Sequence, residues 1–366
     1  MIEVELVTNS NEHEYKEFVD HCSSALVNHS LEWRDVIVGV GTDIPVYLIA
    51  REGSTVVGAM PVFLFECELG NLMISIPQAG GYGGIVVERD YEGKEEVYAV
   101  LLSRLIQEAE RYNCLLVTVS TPPFFGELSL YRRYFQPDFE LENFFQYLDL
   151  QTDFPADLNY LQQEKLRENI VRNIKRAKKY GLCVVMNKDE EYFDRWYIIH
   201  QKRMIEIDGH PLPRSLFEGI RRYIVRGGHG FLAYVLDEEK IIGGGVFVGL
   251  NQVIDYFMGS FDSEYAKKQP NSILMYEMLI QAQKQGYRYW NWQSCISRQS
   301  GVYHYKAGWG SREGLHYYLS KVVGDISELR KMPLSVIREK YRWHYVMPYK
   351  EFVSPPSALN AGGNYE

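Results

Sequence analysis

Apolar and polar positions along this chain change period often enough to outline most of its elements. Residues 1–8 alternate like an edge strand, and residues 11–40 carry helical spacing, with His29 and Trp33 four apart on one face. Two apolar runs joined by a short charged turn follow at 46–65, then a strand at 72–76 and a glycine cluster at 80–84. A helix over 95–112 leads into a short β-branched run at 115–119, which Thr121-Pro122-Pro123 ends. A strand at 144–150 closes the first half. The second half opens on 164–180, where Leu166, Ile170, Ile174 and Ala177 form an apolar stripe at helical spacing. Arg172, Lys175, Arg176, Lys178 and Lys179 fill its other faces, and Gly181 reads as its C-cap. Helices at 191–206 and up to 226 flank a loop at 208–214; paired strands at 231–250 and a strand at 253–260 come next. A helix from the Pro270-Asn271-Ser272 turn, a strand at 287–292, a strand at 315–323 and a helix over 326–341 complete the pattern.

The same order occurs twice. VYLIAREGSTVVGAMPVFLF (46–65) is matched by FLAYVLDEEKIIGGGVFVGL (231–250), each an apolar strand, a charged turn and a strand opening on Val-Val-Gly or Ile-Ile-Gly. Gly58 then aligns with Gly243, Ile106-Gln107 with Ile280-Gln281, and Ser120 with Ser294. Such self-similarity predicts two similar α/β domains in tandem, with boundaries at 1–152 and 153–345, and a tail at 346–366 expected to be disordered. The copies are unequal: after Ser294 the second runs on to GVYHYKAGWG (301–310), which has no counterpart after Ser120.

Composition narrows the class. The chain has 366 residues, enough for two cores, and its 46% hydrophobic and 24% charged content is that of a globular protein. A net charge of −9 argues against general coating of DNA, though it leaves room for a local basic site. Five scattered cysteines without a Cys-x-x-Cys pair, no basic-then-apolar leader and no long apolar run predict a cytoplasmic protein with reduced thiols and no integral membrane contact. The chain shows no metal-ligand spacing, no P-loop and no Gly-x-Ser-x-Gly elbow.

The strand–loop–helix–strand order over 253–292 suits a site in which an exposed main-chain N–H meets a developing oxyanion, with a helix N-terminus beside it. Asn271 or Ser272 is then the expected N-cap. Asp255, on the strand, and His304, in the Tyr-rich stretch, are candidate proton acceptors. Tyr256, Trp292 and Tyr303 offer flat apolar walls with polar tips. Gln78 and Tyr82 stand among glycines that let a backbone approach a ligand closely.

RENIVRNIKRAKKYGL (167–182), HQKRMIEIDGHPLPRSLF (200–217), the run DYFMGSFDSEYAKKQPNSILMYEMLIQAQKQGYRYWNW (255–292) and GVYHYKAGWG resemble the FemAB family. HSLEWRDVI (29–37), YLIARE (47–52), VVGAMPVFL (56–64) and SIPQAGGYGGI (75–85) resemble its first half, so the likeness covers roughly residues 25–325. It implies two tandem acetyltransferase-like (GNAT) domains of α/β (α+β) class, each a mixed central sheet flanked by helices. It also implies transfer of an acyl or aminoacyl group to an amine of a cell-envelope or surface-sugar precursor, such as a nucleotide-linked sugar or a peptidoglycan precursor. By this resemblance the aromatic-Lys pair of a loop, Tyr305-Lys306 here, places Lys306 in catalysis. His29, Trp33, Gln78 and Tyr82 fall near the acceptor in a cleft facing the second domain, and Tyr256, Asn271, Trp292, Tyr303 and Tyr305 stand as further candidate substrate-binding residues. No tightly bound cofactor is implied. Acyl-CoA and aminoacyl-tRNA both stand as co-substrate, tRNA being a candidate partner for the basic helix. The long helical arm of some family members is missing, which weighs against tRNA. Pro270 removes an amide from the turn that would cradle a pyrophosphate, which weighs against CoA. A FemAB-type, tRNA-dependent peptidoglycan-bridge transferase and a catalytically silent binding module of the same fold remain alternatives.

Overall fold

The computed structural model describes residues 1–41, 43–77, 81–153, 168–186, 189–295, 297–342 and 344. In chain order the first stretch gives β1 (Ile2–Leu6), α1 (Glu12–His21), α2 (Leu31–Val38), β2 (Ile44–Pro45), β3 (Leu48–Glu52), β4 (Thr55–Met60), β5 (Phe63–Phe65) and β6 (Asn71–Ile74). Then come α3 (Lys94–Arg111), β7 (Cys114–Ser120), α4 (Leu128–Tyr134) and β8 (Phe139–Asp149). The next stretch gives α5 (Glu168–Lys179), β9 (Cys183–Met186), α6 (Glu190–Glu206), α7 (Arg214–Gly219), β10 (Gly230–Asp237), β11 (Lys240–Leu250) and β12 (Val253–Phe261). It continues through α8 (Pro270–Lys284), β13 (Tyr289–Asn291) and α9 (Gly301–Ala307). The chain ends its described part with β14 (Arg312–Val322), α10 (Ser327–Lys331) and α11 (Leu334–Lys340).

Two units result, and the expected single cut at 152/153 is replaced by two. One unit is residues 1–143 with the segment from Leu315 onward; the other is Phe144–Gly314. The reason is the pairing of β14: Tyr318–Val322 run antiparallel to β7, and the Thr118 and Ser320 hydroxyls meet at 2.8 Å. The expected tail at 346–366 lies outside the described residues.

Within the first unit β1, β3 and β4 form one small sheet, and β2, β5, β6, β7 and β14 follow one another in a second, mixed one. β6 and β7 run parallel, as a helical crossover through α3 requires. The core lies under α3, whose Val97, Leu101, Leu102 and Leu105 bury against β3, β4 and β7. In the second unit the order is β8-β13-β12-β11-β10-β9, with only β12 and β13 parallel, joined by α8. Here α5 and α8 cover the sheet. Ile170, Ile174 and Ala177 of α5 join Ile273, Leu274, Leu279 and the sheet's Phe247 and Trp290 in one core. Each of the isoleucine, leucine and phenylalanine side chains, fully buried, stabilises the fold by about 1.5–3 kcal/mol.

The duplication is visible as a duplicated irregularity. Ala50 pairs with Gly58 but Arg51 pairs with Val56, so Val57 is bulged out. Val235 pairs with Gly243 but Leu236 with Ile241, which bulges Ile242 at the matching place of Ile-Ile-Gly. Local predictions failed where helices were read as continuous. Residues 11–40 form two helices separated by a short turn at Val27–His29, because Ser30 caps α2 by accepting from the Trp33 N–H at 3.1 Å. His29 therefore lies outside the helix that carries Trp33. Residues 326–341 likewise form α10 and α11, with Pro333 opening the second.

Candidate active site

The β12–β13 ladder is short. It pairs Val253 with Tyr289, Ile254 with Trp290 and Asp255 with Asn291, and stops there. β12 continues to Phe261 against β11 alone, with Phe257 bulged between the Phe247–Tyr256 and Val246–Met258 pairs. Burial changes at the same residue: Val253, Ile254 and Asp255 are buried, whereas Tyr256 to Gly259 are half-buried. The two strands part at Asp255 and Asn291, so the half-buried stretch of β12 beyond them is not paired with β13.

Two helices and a stack of aromatic rings close on this vertex. From the far side comes α8, whose N-terminus is built by Gln269 at φ 65° with Pro270 next. Gln269 is the N-cap, so Asn271 and Ser272, expected at that place, are the second and third residues of the helix. Tyr305 and Lys306 sit on α9, a seven-residue helix capped by Ser300, where a loop was expected. Gly308 permits α9 to pack on α5: a Cβ there would lie 3.3 Å from the Ile170 side chain. Between them lies a stack of aromatic rings. Tyr256 stacks on Phe247 and Trp290, meets Trp292 edge-on at 6.0 Å, and Trp292 contacts Tyr305 and Trp309. Gly259 makes room for Tyr256, whose hydroxyl would lie 1.8 Å from a Cβ at that position. Burial pushes the Tyr305 hydroxyl well above its ordinary value, with the Trp309 and Ser272 side chains working against the shift. The Trp290 and Trp292 indole N–H groups and the Asn271 side-chain oxygen have no hydrogen-bond partner among the described residues.

Lys306 is 5% exposed, and its ammonium donates to the Gln293 and Ser294 carbonyls, both at 2.9 Å. Burial drives it down to about 8, opposed by the nearby Cys295. Asp255 is 3% exposed and pushed up to about 7 by burial, with hydrogen bonds from the Asn291 and Gln293 side chains pulling the other way. The Asn291 amide donates to the Asp255 carboxylate at 2.8 Å, and its oxygen accepts the Gln293 N–H at 3.0 Å. Asn291 and Gln293 were not among the sequence candidates; the signal was the Asn-x-Gln spacing at the end of a parallel strand, legible only once Asp255 was known to pair with Asn291. Tyr303 donates to Glu313 at 3.2 Å and accepts at its carbonyl from Gln146 at 3.3 Å. His304, next to the Tyr305-Lys306 pair in sequence, is exposed, and its ring meets the Tyr303 ring edge-on. Its candidacy as proton acceptor gains no partner from the geometry.

Of the first-unit candidates, three lie among the described residues, and all three are buried. His29 is fully buried: its Nδ1 accepts the Leu26 N–H at 2.9 Å, leaving Nε2 to donate to the Gly83 carbonyl at 3.2 Å. Burial lowers it to about 4, so the ring is neutral at physiological pH. Tyr82 is buried with its ring edge-on to His316 at 5.1 Å, and Trp33 is buried in α2. Gln78 lies outside the described residues.

Residues 164–307 match the family described as Acetyltransferase (GNAT) domain. Comparison with curated proteins gives no match. Among solved structures, FemX aligns with a TM-score of 0.68 at 12% identity, over 87% of this chain and 97% of that one. L-PGS from Bacillus licheniformis aligns at 0.58 and 10% identity, over 92% and 96%. A tandem GNAT protein from the clavulanic acid biosynthesis pathway aligns at 0.54 and 11% identity, over 89% and 99%. Residues 164–307 are thus similar to acetyltransferase (GNAT) domains, and the chain has the tandem GNAT fold seen in FemX and in the clavulanic acid pathway protein.

Proposed function

We propose that this protein moves an acyl or aminoacyl group from an activated donor to an amine of a cell-envelope or surface-sugar precursor. The observation that carries the reading is Lys306, buried at the parting of β12 and β13 with two of its three N–H positions committed to fixed carbonyls. The third position is left for a reacting oxygen. In the reaction the acceptor nitrogen bonds to the donor's carbonyl carbon, negative charge gathers on the carbonyl oxygen, and the carbon–oxygen or carbon–sulfur bond to the donor breaks. The amine's proton leaves through the site and one proton ends on the departing oxygen or sulfur. Main-chain N–H groups of β12 beyond Asp255 would meet the oxyanion, and the Lys306 ammonium would meet the departing atom. The unpartnered Trp290, Trp292 and Asn271 atoms suit a transferred group that carries polar atoms of its own.

Two donors fit unequally. The turn before α8 has proline at its first helical position and Gln269 where a phosphate cradle favours glycine, so a pyrophosphate gains few amides there. On α5, Arg172, Lys175, Arg176 and Lys179 are exposed with no acidic partner among the described residues, which favours the charged-tRNA donor. The test is a donor panel of acetyl-CoA, longer acyl-CoA and aminoacyl-tRNA offered with nucleotide-sugar and peptidoglycan-precursor amines, read by mass spectrometry of the amine. Lys306→Ala is expected to lower turnover with the productive pair by about 10²–10³. Unchanged turnover in that variant would remove Lys306 from the mechanism. Ligand binding with no product from any donor would instead identify a silent binding module.

A further inference from the structure

The two carbonyls that hold Lys306 belong to a turn that needs holding itself. Gln293 has φ 62°, a left-handed conformation unusual for a residue with a Cβ. No ladder bond fixes it, since β13 ends at Asn291. Two side chains hold it: that of Gln293 itself, which hydrogen-bonds Asp255, and that of Asn291, fully buried and with both ends of its amide used. Its oxygen takes the Gln293 N–H, closing the turn in the way Asn side chains do two residues on. Its nitrogen grips Asp255 across the last rung of the parallel ladder.

We propose that Asn291 is a positioning residue of the transfer site, tying the turn that aims Lys306 to Asp255 at the vertex of the parted strands. An unbroken chain of hydrogen bonds runs from the Asp255 carboxylate to the Asn291 amide, from Asn291 to the Gln293 N–H, and from the Gln293 carbonyl to the Lys306 ammonium. Asn291 touches no substrate in this scheme. It sets the direction of the two lysine N–H groups that face protein, and so of the one that faces the reaction. A shorter side chain cannot span both partners, and an aspartate would meet Asp255 with like charge. The inference takes its meaning from the acyl-transfer reading, but its geometry can be tested without any substrate.

The experiment follows Lys306 directly. Protein labelled with ¹³C at lysine Cε, its Lys306 signal assigned by Lys306→Arg, is titrated as wild type, Asn291→Ala, Asn291→Ser and the double variant Asn291→Ala/Gln293→Gly. Thermal melting confirms that each is folded; the serine variant serves if alanine fails to fold. The single variants should move the Lys306 midpoint up by about one pH unit or more, toward ordinary lysine, as the turn opens and the ammonium reaches water. Glycine adopts the left-handed turn unaided, so the double variant should bring the midpoint back. Cys295, whose influence opposes the burial effect on Lys306, is present in every variant. An unmoved midpoint in the single variants, or one that glycine fails to restore, overturns the proposal. Neither result depends on finding a donor, and an absence of transfer activity leaves this outcome as it stands.

Discussion

At the scale of single residues the site holds two titrating groups displaced toward each other. Burial raises Asp255 to about 7 and lowers Lys306 to about 8. Their effects on stability have opposite signs. Between the ordinary carboxylate range and pH 7 the folded state keeps a proton on Asp255 that the unfolded chain releases, so stability falls as pH rises through this window. Between pH 8 and the ordinary lysine range the folded state has already lost a proton that the unfolded chain keeps, so stability rises again. Each unit of displacement is worth about 1.4 kcal/mol. Asp255→Asn should therefore melt higher than wild type at pH 8, and the gain should shrink toward pH 5; equal gains at both would mean that the carboxyl is not held protonated. His29 makes a contrasting case. Its neutral ring satisfies a buried N–H and a buried carbonyl, so His29→Ala should cost about 2–4 kcal/mol, seen as a lower thermal midpoint with the chemistry of Lys306 unaffected. The sequence could place His29, Asp255 and Lys306 by motif. It could not show which were braces, because bracing depends on hydrogen-bond partners such as Gly83 and Asn291, one of them 54 residues away.

At the scale of elements, the repeat was legible to the residue. Val-Val-Gly and Ile-Ile-Gly mark the same bulge in β4 and β11, an extra residue that turns a hairpin's surface. Helix ends were less legible, since Ser30, Gln269 and Pro333 decide them by local geometry that a period of 3.6 does not encode. The stretch around Tyr305-Lys306 read as a loop for a related reason: seven residues are too few for periodicity, and only the Ser300 cap reveals the helix. Gly259 gives the element-scale test. A Cβ there would collide with the Tyr256 hydroxyl, so Gly259→Ala should unseat that ring from Phe247 and Trp290. The expected loss is about 1–3 kcal/mol in stability, with altered near-ultraviolet circular dichroism reporting the displaced aromatic stack. An unchanged melt and spectrum would mean the ring has another place to lie.

At the scale of the whole molecule, a net charge of −9 coexists with the cationic outer face of α5. Reversing Arg172 and Arg176 to glutamate touches only exposed positions and should leave the thermal midpoint within about 0.5 kcal/mol of wild type. If the donor is a charged tRNA, the same change should weaken its binding and flatten the dependence of affinity on salt. Where the chain divides was hidden from the sequence, because the repeat suggested two consecutive blocks and nothing local says that residues near 318 return to β7. That return has a consequence for synthesis on the ribosome. β7 lies between β6 and β14, and the part of β14 that pairs with it, Tyr318–Val322, is made only after all of Phe144–Gly314. At roughly 5–20 residues per second, the nascent first unit spends roughly ten to thirty seconds with β7 as a bare edge. A naked apolar strand is a template for sticking to other chains. Residues 1–143 expressed alone should therefore aggregate, and the same fragment joined by a flexible linker to residues 315–342 should stay in solution. In the living cell, the whole of the second unit is synthesised while the first is still waiting for its last strand.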